Sequence, residues 1–181
     1  MSMPGETVIL DACCTLNLAA TGRMAVILER LPYRFCMGRR ARGEAQWLRI
    51  PGEEERELVD LEPLLQLSLL VIEDLQDPKE EALFVRFSEQ IADGEAEGAA
   101  LAIHRGCILA TDDRKARQVV TADHPALRLI STLELIREWQ DEAGIQEADM
   151  ANVLRRIAER ARYRPRRNHP LWDWWSRLMA G

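Results

Sequence analysis

The sequence predicts an α/β fold, a three-layer sandwich with a mostly parallel central sheet and a helical carboxyl-terminal extension. Short apolar segments alternate with segments of helical period along most of the chain, and the connections between them are short. Parallel strands need a crossover, and a helix is the usual one, so this alternation implies a sheet covered by helices on both faces. At 181 residues the chain is also long enough for one domain with a buried core.

Thr7 to Cys14, TVILDACC, opens apolar and β-branched and ends in small residues, which suits a buried strand carrying Asp11 at its carboxyl end. TLNLAATG reads as a short helix closed by Gly22, and MAVILERL as a second one stopped by Pro32. YRFCM is the next strand, and RRARGEAQWLR is helical, with Ala41, Ala45 and Leu48 on one face. IPGEEERELVD is highly charged and reads as surface loop or frayed helix, while LEPLLQLSLLVIEDL combines a short helix with a strand around Leu69 to Ile72. From Pro78, PKEEALFVRFSEQIA has apolar positions 82, 83, 87 and 91 at helical spacing. DGEAEGAALAIHRG is a helix rich in alanine and glycine, able to approach its neighbours closely, and Gly106 closes it. CILATDD is a short strand ending in two aspartates, RKARQVVTA a helix and LRLI the last strand. STLELIREWQDEAG is a helix opened by Ser131 or Thr132, with Glu134 completing the start signal. The rest holds one amphipathic helix, a basic proline-containing linker and a tryptophan-rich terminus. The expected organisation is therefore an α/β domain over residues 1–145, with residues 146–181 as a basic, helical extension packed on it.

Net charge is −6, but it is unevenly placed. From Glu147 onward four acids face eight arginines, so the upstream body carries about −10. No apolar run approaches a membrane span, and Asp11 arrives before a signal-peptide stretch can form, so a cytoplasmic protein without membrane association is expected. The four cysteines have no C-x-x-C spacing and read as small buried thiols, and the three histidines lie far apart. Zinc hydrolase chemistry is disfavoured.

The chemistry-bearing residues are acids: Asp11, Glu44, Glu95 and the pair Asp112 and Asp113. In a parallel α/β sheet, ligands bind beyond the carboxyl ends of the strands, where Asp11 and the Asp112–Asp113 pair are expected. Carboxylates gathered there repel one another unless a cation is present, and Mg²⁺ or Mn²⁺ prefers such oxygen ligands. Each acid also has a plainer reading. Asp11 and Asp112 or Asp113 can cap the helices that follow them, Glu44 can be solvated, and Glu95 and Glu97 can complement a helix dipole.

VILDACCTLNL, the helix containing RRARGEAQWL, and DGEAEGAALAIHRGCILATDDRKAR occur in an order that resembles the PIN-domain ribonucleases, over Val8 to about Trp139. The tail, with A-R-Y-R-P and W-D-W-W, resembles that of a bacterial and archaeal, toxin-like subgroup. The resemblance implies a parallel α/β sandwich and Mg²⁺- or Mn²⁺-dependent cleavage of RNA. It makes Asp11 the first acid and Glu44 the second, and places the third within Asp93-Gly-Glu95-Ala-Glu97 and the fourth within Asp112-Asp113. Glu95 and Glu97 differ by about 200° around a helix, so only one can face the site. Glu95 shares a face with Gly98, Ala99 and Ala102 and is preferred, which leaves Glu97 in an outer ring or in solvent. For the fourth acid the family's T-x-D pattern points to Asp113, and Asp112 stays an alternative. Thr15 either steadies a carboxylate or metal-bound water, or caps its helix. The resemblance further implies a homodimer and, for a toxin, an antitoxin protein as partner.

Arg164, Arg166 and Arg167, within a longer arginine run, are candidates for contacts to RNA phosphates, against a solvated surface. Trp172, Trp174 and Trp175 can stack bases, but docking onto the domain or a second subunit is favoured. Arg114 and Lys115 can balance charge on a phosphate or be ordinary surface charges. Two rivals remain: an aspartyl-phosphate phosphotransfer protein, weakened because Ala12-Cys13-Cys14 replaces the D-x-D-x-T it needs, and a non-catalytic binding module of the same fold.

Overall fold

The computed structural model describes residues 5–180. A five-stranded, wholly parallel sheet forms its centre in the order β5-β2-β1-β6-β7, built from β1 (Thr7–Leu10), β2 (Arg34–Gly38), β5 (Val71–Glu73), β6 (Ile108–Ala110) and β7 (Leu129–Ile130). Helices cover both faces, giving a three-layer α/β architecture. Strand alternation explains both faces: Val8, Leu10, Phe35, Met37, Ile108 and Ala110 enter one apolar core, whereas Ile9, Cys36 and Leu109 enter the other.

The first core lies under α1 (Ala12–Ala20), α2 (Met24–Arg30), α8 (Thr132–Ala143), α9 (Glu147–Arg160) and α10 (Trp172–Ala180). The second lies under α5 (Pro78–Ser88), α6 (Asp93–Arg105) and α7 (Arg114–Asp123). Helix α6 supplies the close approach that its composition predicts: a Cβ on Gly98 would lie 3.3 Å from Leu109 Cδ1. Arg105 at its far end ties α6 to Glu80 of α5 and Glu73 of β5. The expected start of α8 is present, with Ser131 as cap and Glu134 bonding back to its amide. Gly22, Gly106 and Gly144 take the left-handed conformation just past helix ends.

Two local expectations change. The helix after β2 is only α3 (Arg39–Glu44), and the following residues form β3 (Trp47–Arg49). The charged segment read as loop or frayed helix contains β4 (Arg56–Leu58), which pairs antiparallel with β3 to make a small hairpin; α4 (Glu62–Gln66) follows. Its turn uses Pro51-Gly52, with Gly52 at φ 82°, and its one buried side chain is Leu48. Among the described residues no helix is long and apolar enough to cross a membrane.

The chain starts in the middle of the sheet, runs outward through β2 and β5, then returns to place β6 on the other side of β1. The order reverses between β1 and β6, so a crevice opens at their carboxyl ends.

Candidate acidic site

Asp11 follows β1 directly and its amide donates to the Ala110 carbonyl at 3.1 Å, extending the pairing with β6 by one step. The chain then turns into α1. Asp11 caps that helix through Oδ1, which accepts the Cys14 amide at 2.6 Å, while its buried Oδ2 has no partner. Burial pushes the Asp11 carboxyl up to about 7; the Thr111 hydroxyl and Cys14 amide pull it down, and the charge on Asp112 raises it again. Thr15 does not reach that carboxylate. Its hydroxyl donates to the Asp11 backbone carbonyl at 2.8 Å, fixing the main chain that carries the acid.

Asp112 and Asp113 leave β6 together and separate, as alternation along the strand predicts. Asp112 accepts from Asn17 Nδ2 at 3.0 Å, from the Thr132 amide at 3.1 Å and from the Thr132 hydroxyl. It is thereby fastened between α1 and α8. Asp113 caps α7 by accepting the Ala116 amide at 2.8 Å, and its own amide donates to Thr111 Oγ1. The charge on Asp112 raises Asp11, and the charge on Asp113 raises Glu95, so the two aspartates serve different parts of one cluster.

Glu44 and Glu95 reach the same end of the sheet from helices. Because α6 precedes β6 and runs back against it, its first turn lies beside the carboxyl ends of the strands. Glu95 is half-buried there; its Oε2 accepts the Ala92 amide at 3.2 Å. Burial raises its carboxyl, helped by the charges of Asp113 and Glu44. Glu44, at the end of α3, accepts the Gly94 amide at 2.9 Å, and a Cβ on Gly94 would lie 2.6 Å from Glu44 Oε2. Glycine is what lets this carboxylate sit on the start of α6.

Of the two expectations for Glu97, an outer position or solvent, its burial excludes solvent. The residue is 1 % exposed, and its carboxylate accepts both the Arg40 amide and Arg40 Nη1 at 2.8 Å. It thus serves the first turn of α3. Glu44 and Glu97 form a reciprocal pair in which each helix lends a carboxylate to the start of the other. Helical period identifies residues sharing a face but does not reveal that α3 covers a second face of α6, the packing that buries Glu97.

Cys13 lies amid the cluster. The residue is exposed, contrary to the expectation of four buried thiols, and partial desolvation by its neighbours together with the charges of Asp11, Glu95, Asp112 and Asp113 pushes its pKa up to about 12. All five acids accept hydrogen bonds from the chain: Asp11 from Cys14, Glu44 from Gly94, Glu95 from Ala92, Asp112 from Asn17 and Thr132, and Asp113 from Ala116. Among the described residues no three His, Cys, Asp or Glu side chains are arranged to hold a metal ion as they stand. The donor chemistry nevertheless suits a hard cation: oxygen ligands only, mutually repelling, and a buried Asp11 Oδ2 left without a partner.

Beside Asp112, Arg164 and Arg166 line a cleft, whereas Arg167 is exposed outside its lining. Trp174 and Trp175 are buried in the first core, as docking requires; half-buried Trp172 has Arg164 5.7 Å over its ring. Sequence reasoning missed Asn17, Arg40 and Thr132 as supports of the acids, because their polar side chains have no motif spacing and gain meaning only through contacts 20 to 95 residues away. A family model described as a PIN domain matches residues 7–168. No curated protein and no solved structure matches the chain.

Proposed function

The chain belongs to the PIN-domain family, and on that premise we propose that it is an endoribonuclease that cleaves RNA phosphodiester bonds with Mg²⁺ or Mn²⁺. The observation that carries this reading is Asp11: a buried carboxylate at the strand-order reversal, with one oxygen used as a helix cap and the other left without a partner. Asp11, Glu44, Glu95, Asp113 and Asp112 would hold the ion. When bound, it would supply positive charge opposite the phosphate and make a water acidic enough to attack at neutral pH.

The chain's own residues prepare that chemistry. Thr15 and the Cys14 amide fix Asp11, and Asn17 with Thr132 fixes Asp112. The Glu44–Gly94 and Glu97–Arg40 contacts hold α3 against α6, so that Glu44 and Glu95 approach from one side. Repulsion among the acids keeps the site poised for a cation. Arg164, Arg166 and Arg167 would meet RNA phosphates. A toxin role, an antitoxin partner and a homodimer belong to the same proposal, to be examined by co-purification with the product of an adjoining small gene and by light scattering.

The test is incubation of the purified chain with labelled RNA and Mn²⁺, beside Asp11→Asn and an EDTA control. Cleavage should require the metal and fall roughly 100-fold or more in the variant, the scale of losing a principal electrostatic group. Cleavage that survives the substitution sinks the site. The rival reading, a non-catalytic module, draws on the acids, all five of which are already engaged in chain hydrogen bonds. It predicts no metal-dependent cleavage and no metal-induced gain in melting temperature.

A further inference from the structure

We propose that the cleft beside Asp112 is an RNA-strand seat, in which Arg114, Arg117, Arg164 and Arg166 bind backbone phosphates next to the scissile one; this rests on the ribonuclease reading. The cleft measures about 540 Å³ and opens at the carboxyl end of β6, with Asp112 on its wall. Its cations come from two elements far apart in sequence, the first turns of α7 and the segment after α9, and the fold brings them to one concavity.

Local stability does not account for these positions. Arg114 is the first residue of α7, the end at which the helix dipole disfavours a cation, and the first turn holds no acid. Among the described residues, Arg114, Arg164 and Arg166 make no ion pair. The two acids beside them are already committed, since Asp112 is held by Asn17 and Thr132, and Glu134 accepts the Ser131 amide at 2.7 Å. Positive charge is therefore concentrated and unspent at the edge of an acidic site.

The cleft is also prearranged. Arg117 Nη1 donates to the Thr111 carbonyl at 2.8 Å, Arg164 lies over the Trp172 ring, and the His169 ring meets Ser131 Oγ at 3.1 Å. Fixed guanidiniums lose less entropy on binding than free ones and match phosphate geometry. The cleft has Asp112 on its wall, so a strand seated on these arginines lies beside the carboxylates.

The test measures binding of a labelled single-stranded oligoribonucleotide by fluorescence anisotropy, with wild-type chain in EDTA so that no cleavage intervenes. One comparison is Arg114→Gln with Arg166→Gln, one residue from each wall. The other is Arg49→Gln with Arg56→Gln, exposed arginines on the β3–β4 hairpin that serve as controls for bulk charge. The cleft pair should weaken binding roughly tenfold and lower the slope of log affinity against log salt by about 1.4, two single-strand phosphate contacts, with an unchanged melting temperature. The hairpin pair should change affinity less than about twofold. Equal losses in both pairs, no loss in the cleft pair, or no RNA binding by the wild type would overturn the proposal. Displacement of the RNA by poly-glutamate at equal charge would also overturn it, assigning the cleft to an acidic protein. If the cleft pair loses binding but the wild type cleaves no RNA, the seat stands and the nuclease reading falls. If the wild type cleaves and the cleft pair binds and cleaves equally well, the nuclease stands and the seat falls.

Discussion

Asp11 shows how one residue can be a cost to the fold and the centre of the proposed site. Its carboxyl is raised from 3.8 to about 7, chiefly by burial. Between those values the folded chain holds a proton that the unfolded chain releases, so this group's contribution is fully present below about pH 4 and is lost as pH rises through 7. A shift of that size corresponds to about 4 kcal/mol. Asp11→Asn keeps a good helix cap and removes the ionisation. In EDTA the variant should therefore melt above the wild type at pH 8, and the gap should close towards pH 5, as scanning calorimetry at the two pH values would show. Excess Mn²⁺ should raise the wild type at pH 8 and leave the variant unmoved. A variant that melts below the wild type at pH 8 would mean that the buried carboxylate is not the burden its surroundings imply.

The paired helices α3 and α6 carry the next level of design, and a glycine exposes it. Gly94→Ala would put a methyl 2.6 Å from Glu44 Oε2. The carboxylate is the free end of a flexible side chain and can swing away, so stability should fall by only about 1 kcal/mol, a single hydrogen bond's worth. Metal-dependent cleavage should fall much further, tenfold or more, because Glu44 leaves the cluster. Gly38→Ala sets a sterner test: its Cβ would collide with the buried Glu97 carboxylate that half-exposed Arg40 holds, and displacing that carboxylate should cost roughly 1–3 kcal/mol, read from denaturant unfolding. Much of this level was legible beforehand. The elements beginning at Thr7, Pro78 and Asp93 announce themselves by β-branched runs, a proline in the first turn or an alanine-glycine stripe. The β3–β4 hairpin did not: three-residue strands are too short for alternation to register, and a run of glutamates around the turn masks them. At the site, Asp11, Glu95, Asp112 and Asp113 were readable one by one because each follows a strand or opens a helix, whereas Glu44, at the end of α3, was placed by the resemblance. Their division of labour was not, since the contacts that hold Asp112, Asp113 and Glu97 differently depend on packing between distant segments.

On the scale of the molecule, the basic tail that composition separates from the acidic body is not physically separate. Met150, Val153, Leu154 and Ile157 of α9 and Trp174, Trp175 and Leu178 of α10 lie in the same core as Val8 and Leu10 of the central strand. Between those helices, Tyr163 packs edge-on against Trp175 at 5.7 Å, and its hydroxyl lies near Asp112; burial, with that carboxylate's charge, pushes its pKa upward. The extension therefore closes one side of the α/β layers and walls the cleft beside the acids at once. Trp175→Ala should lower stability by roughly 3–5 kcal/mol, the range for emptying a buried tryptophan site. A chain ending at Asn168 keeps the arginines of the cleft but loses α10, and with it the cover over α9 and Tyr163. It should unfold without the single cooperative transition of the whole chain and bind RNA more weakly, even though every proposed ligand and cleft arginine is retained. A truncated chain that melts as sharply as the full one would show instead that α10 is an accessory to a core that closes without it.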